Sequence, residues 1–225
     1  MRPRSLFQFL ALFGAAALVL TACGGSNKKS SSPSSGNAGG TLVTVAKAAP
    51  SGSPDPQIDY TLQEWQLLIL THDGLVGFKR AAGTEGTKIV ADLATTVPKP
   101  TDGGKTYTFT LRKGIKFSNG KTLKASDVKY TFERLFKIGQ SPNAGTWYNV
   151  IVGGDACVKT PKSCNLDQGV VIDDASGKVT FHLTKSDPEF LDQLSVPFAF
   201  ILPTGTPNTE VKIPPPGTGP YKWVE

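Results

Sequence analysis

The fifteen residues from Leu6 to Leu20 are apolar except for Gln8, follow Arg2 and Arg4, and run into Thr21-Ala22-Cys23. A basic start, a short apolar stretch and small residues ahead of a cut form the layout of a secretory signal peptide. A helix that spans a membrane needs about 20 apolar residues, so this run is short for a permanent anchor. The constraint on the rest is severe: residues 1–22 are expected to be removed, and whatever follows must fold outside the cytoplasm.

Leu20-Thr21-Ala22-Cys23 resembles a lipobox, the site at which lipoprotein signal peptides are cut and the new N-terminal cysteine takes up lipid. Cys23 is therefore the expected lipidation site. One acyl chain holds a protein only marginally, so the several chains of a bacterial lipoprotein are what make such an anchor durable. From Asn27 to Gly40 the chain is Ser, Gly, Asn, Ala and Lys with one Pro, too polar to join a core. Residues 23–40 read as a lipid-anchored flexible linker, and a 14-residue coil spans roughly 20 Å. The expected location is the outer side of a cell membrane, periplasmic or at the cell surface.

The chain has 24 basic and 18 acidic residues, and loss of the leader removes two of the basic ones. The mature chain is mildly basic, its Lys and Arg are scattered, and no arginine-rich or base-stacking motif appears, so nucleic acid is not an expected partner. Cys157 and Cys164, with six residues between them, are expected to pair in an oxidising compartment. Closing so short a loop contributes roughly 2–3 kcal/mol in the chain-entropy description. A zinc site would need two further ligands, and neither His is near.

Hydrophobic period sets the expected elements. Thr41–Ala46 is β-branched and apolar, a first strand, and the prolines from Pro50 to Pro56 then break regular structure. Leu62 to Leu70, with Trp65, Leu67, Leu68 and Ile69, reads as a buried helix ended by Asp73-Gly74. Between Thr106 and Gly120, Tyr107, Phe109 and Leu111 alternate with threonines and are followed by Ile115 and Phe117, which predicts a half-buried hairpin turning at Lys113-Gly114. From Ser126, Val128, Phe132, Leu135 and Phe136 recur at helical spacing beside polar Lys129, Glu133 and Arg134, an amphipathic helix. Val170–Ile172 and Val179–Leu183 flank a turn and predict a second hairpin. Asp187-Pro188 resembles an N-cap with proline at the first helical position, with Phe190, Leu191 and Leu194 inward. Phe198–Leu202 returns as a strand. This mixture favours an α/β or α+β class.

Motifs that would carry chemistry fail on spacing. Gly104-Lys105-Thr106 and Gly120-Lys121-Thr122 end like a phosphate-binding loop, but Lys99 and Ile115 stand where its first glycine belongs. His72 and His182 lack a serine elbow, a metal-binding pair or a carboxylate dyad and read as surface or turn residues. No catalytic residue, metal or cofactor is expected. Trp65, Trp147, Tyr148, Tyr221 and Trp223 are candidates to line a pocket, although most aromatics belong to cores.

Several stretches together resemble the large extracytoplasmic solute-binding proteins of the oligopeptide, dipeptide and nickel class, family 5. They are Ser53-Pro54-Asp55-Pro56 with Asp59, Asp73-Gly74-Leu75-Val76, Ala91-Asp92-Leu93-Ala94, and above all Asp102 through Phe117 with Asn119-Gly120, Ala125–Val128 and Phe132-Glu133-Arg134. Gly217-Thr218-Gly219-Pro220-Tyr221 resembles the family's Gly-Thr-Gly-Pro-Tyr turn. Ala94-Thr95-Thr96, where Ala-Glu-Ser is usual, and Lys124, where a Thr commonly caps the helix, depart from it.

The resemblance implies an α/β fold: a periplasmic-binding-protein-like type II lobe from residues 41–74 plus 186–225, an inserted α+β subdomain at 75–185, and a second lobe beyond residue 225, absent from this chain. It implies a non-enzymatic receptor that closes around a peptide or other small solute and delivers it to ABC permease subunits, with no cofactor. Ala48, Ala49, Pro50, Ser51, Gly52 and Ser53, after the first strand, are the expected ligand contacts. The alternative is an exported lipoprotein with a hydrolase, chaperone-like or cell-wall interaction role.

Overall fold

A computed structural model describes residues 52–224. The leader, Cys23, the linker, the strand expected at Thr41–Ala46 and the contacts expected at Ala48–Ser51 lie outside the described residues. Four α-helices and five strands are found within them: α1 (Leu62–Thr71), β1 (Val76–Phe78), β2 (Ile89–Ala91), β3 (Thr106–Thr110), α2 (Ala125–Lys137), α3 (Gly154–Lys159), β4 (Val170–Asp173), β5 (Lys178–His182) and α4 (Phe190–Gln193). The fold is mixed α/β.

The main sheet is antiparallel in the order β3-β5-β4. Its pleat explains the sequence alternation: Tyr107 and Phe109 pair with Phe181 and Val179 on the buried face, while Thr108 meets Thr180 on the other. The β4–β5 hairpin forms as its sequence predicts, with Val170 opposite Phe181 and Ile172 opposite Val179. The hairpin expected within Thr106–Gly120 does not form. Strand β3 takes its partner from β5, some 70 residues on, because alternation marks a strand without naming the strand it pairs with. Residues 115–123 instead make a small turn of their own around Asn119-Gly120, with Lys116 opposite Thr122.

Helix α2 covers the buried face of the sheet. Phe181 is the hub: its ring lies 5.0 Å from Phe132 of α2, 5.8 Å from Phe109 and 5.5 Å from Phe190, all edge-to-face. The N-terminus of α2 is held without a capping hydroxyl at Lys124. The Lys124 backbone N–H donates to Asp127 Oδ2 at 2.9 Å, and Asp127 Oδ1 accepts the N–H and hydroxyl of Thr204. Tyr148, fully buried, donates its hydroxyl to the Gln193 carbonyl at 2.7 Å. Cys157 and Cys164 are joined by a disulfide that ties α3 to the turn after it.

Two elements near the C-terminal side differ from expectation. Helix α4 opens at Phe190 with Glu189 at its N-cap, so Asp187 lies two residues ahead of the cap and not at it; its carboxylate accepts the Glu189 N–H at 3.0 Å and the Gln193 side-chain amide at 3.2 Å. Phe198–Leu202 is not a strand among the described residues. Pro197–Ala199 makes a 3₁₀ turn, since Pro197 at its first position costs no helical hydrogen bond. Buried Phe200–Leu202 then runs extended, with the Ile201 N–H donating to the Asp73 carbonyl at 3.0 Å. Phe190, Leu194, Phe198 and Ile201 share one continuous core with the sheet and α2.

Candidate functional site

The loop ahead of α1 is fixed from beneath by a buried charge. Arg134 and Asp55 are both fully buried, and the guanidinium grips the carboxylate with two bonds, Nη1 to Oδ1 at 3.0 Å and Nη2 to Oδ2 at 2.5 Å. The three remaining N–H groups of Arg134 donate to Gln57 Oε1 at 2.6 Å and to the carbonyls of Pro207 at 2.7 Å and Thr209 at 3.2 Å. All five guanidinium hydrogens are therefore used, the condition under which a buried ion pair is tolerated. Gln57 in turn donates to the Thr131 carbonyl, and Asp55 folds residues 55–59 into a turn. The sequence reading put Arg134 on the polar side of α2. Burial is the outcome because its partner lies 79 positions earlier, between two prolines that hold the loop in place.

Above this anchor, Gly52 donates its N–H to Glu64 Oε1 at 2.5 Å, and Ser53 Oγ accepts the Asp55 N–H at 3.2 Å. Glu64 also takes the Thr61 hydroxyl at the start of α1. Trp65 donates its indole N–H to the Asp59 carbonyl at 2.9 Å and packs edge-on against Phe198.

The end of α1 forms the seat for the Gly217–Tyr221 turn. Gly219 and Tyr221 donate their N–H groups to the carbonyls of Thr71 and Leu70 at 3.0 and 3.1 Å. Thr218 donates its hydroxyl to Asp73 Oδ2 at 2.9 Å. The approach explains the glycines: a Cβ at Gly217 would lie 2.0 Å from the Thr71 oxygen, and one at Gly219 would lie 2.6 Å from the Thr71 carbonyl carbon. His72, expected at the surface, is buried between these parts. Its Nε2 bonds the Pro215 carbonyl at 2.9 Å and its Nδ1 the Thr71 hydroxyl at 2.8 Å. Burial drives its pKa down to about 4, against the opposing pull of the Pro215 carbonyl. The neutral ring is a structural strut. His182 sits half-buried on the outer face of β5 beside Thr106.

These pieces enclose an open cleft of about 440 Å³ between Pro54, Thr71, Ser118, Pro214–Gly217 and the segment Tyr221–Val224, with Lys212 and Lys222 at its edge. A smaller hollow of about 90 Å³ joins Gly52, Pro54 and Glu64 to Trp223. The structure thus brings Gly52 and the Gly217–Tyr221 turn to one side of the molecule. Of the aromatic candidates, Tyr221 and Trp223 line the cleft, whereas Trp65, Trp147 and Tyr148 pack into the core.

A third hollow, about 280 Å³, holds Asp73, Asp92 and Arg80 beneath Phe78 and Phe200. Burial and then the neighbouring Asp73 push Asp92 up to about 6, and burial raises Asp73 as well. Among the described residues no group of three or more His, Cys, Asp or Glu is placed to hold a metal ion. The sequence reading missed Arg134, Gln57, Glu64, Ser118 and Pro214–Pro216. Both ends of the ion pair lay in stretches that resemble the family, Ser53–Pro56 and Phe132–Arg134, but nothing in either stretch named the other as its partner.

The family described as bacterial extracellular solute-binding proteins, family 5 middle, matches residues 88–225. The dipeptide-binding protein of Escherichia coli K12 is 31% identical over 196 residues, covering 81% of this chain and 35% of that protein. Heme-binding protein A of Haemophilus influenzae is 32% identical over 235 residues, covering 94% of this chain and 40% of that protein. Among solved structures, clavulanic acid biosynthesis oligopeptide binding protein 2 superposes with a TM-score of 0.66 at 24% identity, over 77% of this chain and 32% of that one. The chain spans 32 to 40% of the length of these relatives.

Proposed function

Because the chain belongs to family 5 of the bacterial extracellular solute-binding proteins, we propose that the complete protein captures a peptide or similar small solute outside the cytoplasm and delivers it to ABC permease subunits. The observation that carries this reading is the family match over residues 88–225 together with a dipeptide-binding relative aligned along 81% of the chain. In this reading residues 41–74 and 186–225 form a first lobe, 75–185 an inserted subdomain, and the cleft beside Gly52, Ser53 and Tyr221 is one wall of the ligand site. Capture works by hinge closure: ligand favours the closed state through contacts made to both lobes at once. The turn of Gly217–Tyr221, bonded to the end of α1, supports this role, since it fixes one wall of the cleft in place.

The mature protein is a lipoprotein in this reading, anchored through Cys23 and tethered by residues 24–40, and it is a receptor with no catalytic residue and no cofactor. One relative is named for heme and another for dipeptides, so cargo has to be measured. Native mass spectrometry of the complete gene product, mixed with di- to pentapeptides and separately with hemin, tests the reading. A one-to-one complex from which the peptide is recovered intact is the expected result. Peptide fragments would make the protein a hydrolase, and hemin binding without any peptide complex would replace the cargo class.

A further inference from the structure

Residues 52–224 carry 19 basic and 17 acidic side chains, close to balance, and the basic ones are not as evenly scattered as the overall sequence suggests: residues 112–124 hold five of them and no acidic one. Arg112, Lys113, Lys116, Lys121 and Lys124 are all exposed. None of them has an ion-pair partner among the described residues, where Lys79, Lys88, Lys105, Lys129 and Lys137 each have one. The acids beside the segment are engaged elsewhere or meet it only through the backbone: Asp127 is buried on Lys124 N–H and Thr204, Asp174 accepts Ser126, and Asp92, whose charge Arg112 feels, takes the Arg112 Nε–H on its backbone carbonyl at 2.7 Å.

The segment that presents these charges is held in shape. Phe117 and Leu123 are buried, the Phe117 N–H donates to the Lys121 carbonyl at 2.9 Å and the Leu123 N–H to the Ile115 carbonyl at 3.0 Å. The tip is tied down by Ser118 N–H to the Gly217 carbonyl at 2.8 Å. With Lys116 opposite Thr122, the pleat turns Lys116, Thr122 and Lys124 to the face away from Phe117 and Leu123.

We propose that this basic turn rests on the anionic phospholipid headgroups of the membrane to which the chain is tethered. The inference rests on the lipoprotein reading above. Lys121 borders a hollow of about 300 Å³ with Pro203, Val211 and Ile213, but the diffuse, unpaired charge of Arg112, Lys113, Lys116 and Lys124 suits headgroups, whereas protein interfaces are depleted in lysine at their centres. Strand-like nucleic acid recognition would need exposed aromatics for stacking, and the one aromatic in the segment, Phe117, is buried. A tether of roughly 20 Å keeps the body near the surface, where an attraction of about 8 Å range acts on the side that turns towards it. Contact there would fix which side of the body faces the membrane.

The test uses the complete gene product carrying Cys23→Ser, so that acyl chains cannot contribute, floated with vesicles of phosphatidylcholine with or without phosphatidylglycerol. Binding is expected only with phosphatidylglycerol and is expected to vanish in high salt. Each lysine near an anionic surface is worth about a five-fold factor in partitioning, so K113Q/K116Q/K124Q lowers it roughly 100-fold. The equally charged control K159Q/K162Q/K185Q, on exposed lysines elsewhere, leaves it unchanged. Equal loss in both variants, or no dependence on phosphatidylglycerol, overturns the proposal. Patch-dependent capture of purified permease with no vesicle binding overturns it too, in favour of an acidic protein surface. Lipidation is scored separately by the mass of the native chain, so failure of the anchor and failure of the patch are distinguishable.

Discussion

Replacing Asp55 by Ala strands a guanidinium that no solvent reaches. Two of the five acceptors of Arg134 vanish, leaving Gln57 Oε1 and the carbonyls of Pro207 and Thr209. Breaking a fully buried pair from one side costs about 3–5 kcal/mol, which for a domain of this size lowers the melting temperature by roughly 10 °C. The partner variant Arg134→Met removes the charge and fills part of the space, but leaves the Asp55 carboxylate uncompensated at the same depth. Combining the two removes both charges, and apolar groups in place of a buried pair are often near neutral. The remaining cost is that of the unmet Gln57 and backbone acceptors, about 1–3 kcal/mol. The double variant should therefore be at least about 2 kcal/mol more stable than the sum of the singles. Urea denaturation of the complete gene product, compared at constant slope, reads these differences. A cost below about 1 kcal/mol for Asp55→Ala, or strict additivity, would refute the idea that this pair anchors the loop carrying Gly52 and Ser53.

Gly217→Ala places a methyl 2.0 Å from the Thr71 oxygen and should lower the melting temperature by several degrees, whereas Gly145→Ala, whose nearest neighbour would be 3.7 Å away, should not; equal melting of the two would contradict the tight seat on α1. His72 titrates near 4 when folded against 6.5 when free, so the unfolded chain binds more protons between those values and His72 makes the fold lose up to about 3 kcal/mol as pH falls through that window. Asp92, at about 6 against 3.8, acts in the opposite sense, so H72Q should gain stability in acid relative to the parent while D92N should lose it, and parallel melting-versus-pH curves would disprove both assignments. C157S/C164S should cost about 2.5 kcal/mol for a loop of this length, and two reactive thiols in the unreduced parent would show that the cysteines are unpaired.

What the sequence disclosed depended on range. Helices α1 and α2 and the β4–β5 hairpin are local, and their periods marked them within a residue or two. The partner of β3 was hidden because Tyr107 and Phe109 look the same whether they pair with Ile115 or with Phe181. Phe198–Leu202 is apolar enough for a strand, but Pro197 turned its start into 3₁₀ structure. The interior polar groups were the least visible. His72 is buried by Pro215, 143 positions away, and Arg134 by Asp55, 79 positions away, and a single residue's polarity says nothing about such distant partners. The Gly217–Tyr221 turn was found by its likeness to a family motif, while the reason for its glycines, the approach to Thr71, required the fold.

Isothermal titration calorimetry of the complete gene product with di- to pentapeptides tests the central claim most directly. One peptide class should bind at a single site with micromolar or tighter affinity, with the peptide chemically unchanged afterwards. Heatless injections across the whole set, or heat that comes from turnover, would contradict the account of this chain as part of a peptide-capturing receptor.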